Sequence, residues 1–175
     1  MSDSVANAAA PPRIGVAITT VGRWDELRGL LDGLASQSRP PHAVAIAHHD
    51  AAAEDDLAAL VGEFSDKLAI MTVVSPRGGI SNGRNAAAGM FGDDVDWLWF
   101  PNDTSRIDPP DFLERIAPHL TPDAVVCAVQ LVDREGGPRN TLPPPGTPLN
   151  RRNVWGGHRT GHPVQAARVP AGRWI

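Results

Sequence analysis

Short β-branched apolar runs alternate along the chain with stretches whose apolar residues recur every three or four positions. RIGVAI, from Arg13, has the pattern of a buried strand, bounded by Thr19-Thr20-Val21-Gly22. From Arg23 the period changes. Trp24, Leu27, Leu30, Leu31 and Leu34 fall on one helical face, and Ser38-Arg39-Pro40-Pro41 ends it. AVAIA predicts a second strand that stops at His48-His49-Asp50, and Leu57, Leu60, Val61 and Phe64 a second amphipathic helix. KLAIMTVV predicts a third strand running into a glycine-rich loop, SPRGGISNGRN. NAAAGMF then reads as a short helix of small residues, able to pack closely on a sheet. VDWLWF predicts a fourth strand, in which Trp97 and Trp99 share one core-facing side. Pro109 and Pro110 suit the first turn of a helix, where a missing N–H costs nothing, and Phe112, Leu113 and Ile116 give that helix its apolar face. DAVVCAVQLV predicts a fifth strand, and the chain turns at Asp133.

Strands alternating with helices define an α/β domain with a mostly parallel sheet, over residues 13–137. Residues 1–12 lack periodicity, end in two prolines and read as a loose tail. Residues 138–175 are rich in Pro, Gly and Arg, carry little periodicity and read as irregular. Right-handed crossovers put the C-terminal ends of parallel strands on one edge. Thr19-Thr20, His48-His49-Asp50, the Ser75 to Asn85 loop and Asn102-Asp103 should therefore share one rim, where open α/β sheets bind ligands.

Composition narrows the function classes. The net charge of -4 gives no general affinity for nucleic acid or anionic lipid. Lys67 is the only lysine, and the arginine that supplies the remaining positive charge suits phosphate recognition. Cys127 is the only cysteine and lies in an apolar run, so no disulfide framework exists. No signal-peptide pattern and no apolar run of about 18 residues is present, which makes the cytoplasm the expected location.

Asp103, beside an amide and hydroxyls at a strand end, offers hard oxygen to Mg²⁺ or Mn²⁺. It could equally cap its own loop, as Asn-Asp-Thr-Ser often does. Gly78, Gly79 and Gly83 would let the backbone approach a ligand, and Asn82 could cap a helix whose N-terminus favours phosphate. Arg84 there opposes the helix dipole, a conflict that a bound diphosphate would relieve. The alternative is a solvated arginine on a tight turn. The loop is neither a P-loop nor a dinucleotide fingerprint, and no serine-nucleophile elbow occurs. His48 and His49 point to opposite faces of a strand with no third ligand at a familiar spacing, and Gly161 and Pro163 argue against the helix that His158 and His162, four apart, would need to share an ion.

Four segments together resemble the nucleotide-binding half of family 2 glycosyltransferases: VAITTVGR, AVAIAHHDAAAED, GGISNGRNAAA and WLWFPNDTSRIDPPDFLERI. The last resembles the DXD region of that family. The resemblance spans roughly residues 13–135 and implies the GT-A fold, a Rossmann-like three-layer α/β/α arrangement. It implies metal-assisted transfer of a sugar from a nucleotide-diphosphate donor to a glycan or lipid-linked acceptor, usually with inversion. On this likeness Asp103 is the ligand of Mg²⁺ or Mn²⁺ and Asn102 holds its geometry. Thr19, Thr20 and Arg23 line the nucleotide pocket, and Arg84 and Asn85 meet the nucleotide or diphosphate. His48-His49 replace the acid that the family places after its second strand, and Asp50 stands in one position later.

The likeness also implies an acceptor-binding half carrying a general base. No counterpart is found after Pro138, so the chain reads as a shortened member and its catalytic base is unassigned. The competing class is therefore a catalytically inactive GT-A-like domain that binds a nucleotide or a partner. A nucleotidyltransferase is a third class, but TTVGRWDEL is a poor triphosphate loop. Trp155 and Trp174 could bury against a partner or the inner face of the membrane, and an open side would gain from a second copy of the chain.

Overall fold

The computed structural model describes residues 10–107 and 109–121, together with the backbone of residues 173–174. Its strands are β1 (Ile14–Thr19), β2 (Ala43–His48), β3 (Ile70–Val74), β4 (Trp97–Trp99) and β5 (Arg173–Trp174). All neighbouring pairs are parallel, in the order β3-β2-β1-β4-β5. The expected fifth strand at residues 123–132, with Cys127, lies outside the described residues, as do residues 1–9 and nearly all of 138–175. β5 is instead a two-residue pair from the far end of the chain, opposite Trp97 and Leu98.

Alternation along the strands sorts the core into two layers. Ile14, Val16, Ile18, Val44, Ile46, Trp97 and Trp99 point to one face. There they meet Leu27, Leu30, Leu31 and Leu34 of helix α1 (Trp24–Ala35) and Leu57 and Leu60 of helix α2 (Glu54–Gly62). Leu113 of helix α4 (Phe112–Ile116) joins them. The opposite face carries small residues, Ala17, Ala45 and Ala47, and receives helix α3 (Ile80–Gly89) through Ala87, Ala88 and the following Phe91. A right-handed crossover explains the change of side: the chain steps outward from β1 to β3 and must then pass the other face to place β4 beside β1.

One buried polar side chain fixes the frame. The Gln37 amide donates to the Gly33 and Pro109 carbonyls (both 3.2 Å) and accepts from the Leu113 N–H at 3.0 Å, tying the end of α1 to the start of α4. Pro109 and Pro110 precede α4 and do not occupy its first turn. α3 begins at Ile80, earlier than its composition suggests, so the last six residues of the expected loop are helical. Gly79 starts it with φ 101°, a conformation that side chains rarely adopt. Asn82 is inside the helix and does not cap it: its amide donates to the Gly78 carbonyl at 2.8 Å.

Candidate functional site

β1 is flanked by β2 on one side and β4 on the other, so the strand order reverses there and leaves a crevice at the carboxyl ends. Thr19, Val21, Arg23, His48, His49, Ser75, Arg77, Gly79, Ile80 and Gly83 line a cavity of about 220 Å³ at this rim. Gly83 sets how closely α3 approaches. A Cβ there would overlap Cγ2 of Thr19 and stand 2.9 Å from its hydroxyl. The Thr19 hydroxyl is buried and has no hydrogen-bond partner among the described residues.

Asp103, just past β4, is the most deeply buried charge of the rim, with its side chain 1% exposed. Thr20, itself buried, donates its hydroxyl to Oδ2 at 3.0 Å. Arg23 forks onto the same carboxylate, through Nε to Oδ2 (3.1 Å) and Nη2 to Oδ1 (2.6 Å). Its hydrogen bond and then its charge contact with Asp103 push the Arg23 guanidinium above its ordinary pKa. Arg23 remains 53% exposed and borders the cavity, whereas Asp103 does not.

Arg84 lies one turn inside α3 and not at its terminus, so its conflict with the helix dipole is smaller than the sequence implies. Half-buried, it is pushed below its ordinary pKa by burial and makes one long contact, Nη2 to Asn102 Oδ1 at 3.4 Å. A desolvated guanidinium on an amide oxygen is a ready partner for an anion. Asn102 and Asn85 are exposed at the same rim. Asp50 caps the 3-10 turn at Ala51–Ala53, where its Oδ1 accepts from the Ala52 N–H at 3.0 Å; it is exposed and does not line the cavity.

The buried polar residue at the end of β2 is His48, its last residue. Its Nδ1 lies 2.9 Å from the Asp50 carbonyl oxygen, which can only accept, so Nδ1 carries the proton and a neutral ring keeps its lone pair on Nε2. Sequence reasoning did not single out Arg77, Ser75, Val21 or Ile80. A cation in the loop directly after β3 was the available signal for Arg77. Val21 and Ile80 are large exposed apolar groups at the cavity.

Fit to a divalent ion rests on one carboxylate. Among the described residues no three His, Cys, Asp or Glu gather as a ready-made metal site. Mg²⁺ is commonly held by one or two carboxylates, substrate phosphates and water, so Asp103 suits such an ion once Arg23 moves aside. Among the described residues no helix is long and apolar enough to cross a membrane.

The fold is that of GT-A-like nucleotide-sugar glycosyltransferases. Residues 1–349 of S. aureus TarS in complex with UDP superimpose with a TM-score of 0.52 and 19% identity, over 61% of this chain and 31% of that fragment. TarS in complex with UDP-GlcNAc gives 0.52 and 20%, over 61% and 30%. The mannosyltransferase PcManGT from Pyrobaculum calidifontis, in complex with GDP-Man and Mn²⁺, gives 0.58 and 16%, over 70% of this chain and 37% of PcManGT. The match thus spans about a third of the TarS fragment and of PcManGT, and 19% of the longer TarS chain. No family model matches it, and neither does any curated protein.

Proposed function

We propose that this chain is the donor-binding domain of a family 2-type glycosyltransferase that moves a sugar from a nucleotide diphosphate to a glycan or lipid-linked acceptor. The observation that carries the reading is the cation pattern at the switch point of the sheet. Arg23 and Arg77 border the cavity, Arg84 stands desolvated with no carboxylate partner among the described residues, and Asp103 is buried behind Arg23. This arrangement suits a diphosphate flanked by guanidinium groups. Thr19 and Thr20 are the β1 contributions, Asn85 and Asn102 the exposed amides of the diphosphate side, and Asp50 or the histidines before it the nucleoside side. A Mg²⁺ or Mn²⁺ ion on Asp103 would neutralise charge developing on the departing diphosphate.

In the inverting reaction the acceptor hydroxyl oxygen bonds to the anomeric carbon as the bond from that carbon to the diphosphate breaks. The hydroxyl proton passes to a base. No residue of the sequence is assigned as that base, and residues 122–172 lie outside the described residues. The replacement of the family's acid by His48-His49 favours one second reading, a GT-A-like domain that binds donor or a partner without transferring sugar. No nucleic-acid partner is proposed. A second copy of the chain or the inner face of a membrane remains the partner class for a cytoplasmic domain of this kind.

Release of nucleoside diphosphate from UDP-GlcNAc, UDP-glucose and GDP-mannose, with and without Mn²⁺, separates the two readings. Release that Arg84→Ala reduces at least ten-fold supports a transferase. Binding of these donors with no release supports the binding domain.

A further inference from the structure

We infer that Arg23 is a built-in counterion that keeps metal off Asp103 until a diphosphate is present. This rests on the donor-site reading above. Asp103 is buried and both its oxygens are taken, by the Arg23 fork and the Thr20 hydroxyl. Arg23 borders the cavity and Asp103 does not, so the guanidinium stands on the solvent side of the carboxylate. A divalent ion reaching Asp103 must displace that cation, because two positive charges within about 4 Å in a partly desolvated site repel strongly.

Arg23 can leave. Its side chain is half exposed, stands at the head of α1 and makes no capping hydrogen bond to the helix; only the Arg23 carbonyl accepts from the Leu27 N–H, at 2.9 Å. Among the described residues no free anion stands ready along the cavity to receive it: the other lining side chains are apolar, hydroxyl, imidazole or a second arginine, and nearby Glu26 is paired with Arg106 at 2.8 Å. An entering diphosphate supplies that anion. Arg23 then passes from Asp103 to phosphate, and the carboxylate it uncovers becomes free for an ion shared with the same diphosphate. Metal and nucleotide therefore bind as one cooperative event, and neither the buried carboxylate nor the cation is left unpaired along the way.

The test is a Mn²⁺ titration of the whole chain by calorimetry and electron paramagnetic resonance, without nucleotide, on the wild type, Arg23→Gln and Arg23→Lys. UDP and GDP titrations with and without Mn²⁺ run beside it, and circular dichroism checks each fold. The expected result is Mn²⁺ affinity at least ten-fold higher in Arg23→Gln than in the wild type. Arg23→Lys should fall between them, and Mn²⁺ alone should raise the melting temperature of Arg23→Gln only. In the wild type, a diphosphate should raise Mn²⁺ affinity at least ten-fold. Equal Mn²⁺ affinity in all three proteins overturns the counterion role, even where a diphosphate binds. If neither diphosphate binds a folded wild type, the donor-site reading fails and the inference fails with it.

Discussion

Removing the Asp103 carboxylate should destabilise the protein as well as impair its site. Asp103→Ala deletes the acceptor of three hydrogen bonds, at 2.6, 3.0 and 3.1 Å, from a side chain that is 1% exposed. The two partners respond differently. Arg23 is 53% exposed and regains water, so the loss of its ion pair is discounted to that of a surface pair, up to about 1 kcal/mol. Thr20 is buried, and its hydroxyl is left without an acceptor, which costs about 1–3 kcal/mol. The total is about 1–4 kcal/mol, most of it through Thr20. Asp103→Asn keeps an acceptor for Thr20 and should cost about half as much. Because the penalty arises from an orphaned hydroxyl, Thr20→Val should relieve it, leaving the double variant at least about 1 kcal/mol more stable than additivity allows. Urea unfolding at pH 7, followed by circular dichroism, measures all four corners of this cycle. A cost below about 0.5 kcal/mol for Asp103→Ala, or strict additivity with Thr20→Val, would refute the buried network as drawn.

Gly83→Ala raises helix propensity by about 1 kcal/mol, yet its methyl would overlap Thr19, so overpacking of about 1–3 kcal/mol should make the variant no more stable than wild type in urea melts. Stabilisation by the full propensity gain would contradict the close contact of α3 with β1. Gln37→Met should cost about 1–3 kcal/mol by leaving the buried Leu113 N–H unpaired, read as a lower urea midpoint at unchanged slope. The Arg13 side chain, and its backbone N–H at 2.7 Å, hold the Asp96 carboxyl below its usual 3.8. Such a group contributes stability that is fully present above about pH 4 and lost as pH falls through the lower native value. Asp96→Asn should therefore flatten the acid limb of the melting curve below about pH 4, and an unchanged limb would count against the pairing.

Much of the frame was legible because burial imposes a period. The face of α1, the inward pair Trp97 and Trp99, and the gathering of the post-strand residues at one rim all follow from alternation and right-handed crossovers. α3 was harder to read. Ile-Ser-Asn-Gly-Arg-Asn has weak helix propensity and resembles a turn, but the small faces of Gly83 and Ala87 let it pack against β1 and β2, and packing overrides propensity. The Gly-Gly pair before it was the signal, since the second takes a positive φ that starts the helix. The contact of Arg23 with Asp103 spans 80 positions, and no local pattern encodes such a pairing. The same holds for the Gln37 bridge to Pro109 and Leu113. At the end of β2 the sequence pointed to the acid Asp50, whereas the buried, cavity-lining group is His48, the last strand residue.

The most direct test is calorimetric titration of UDP, GDP, dTDP and CDP into the wild type and Arg84→Ala, each with and without Mn²⁺. At least one diphosphate should bind the wild type, more tightly with Mn²⁺, and bind Arg84→Ala at least ten-fold more weakly. A well-folded wild type that binds none of the four, with or without metal, would contradict the donor site.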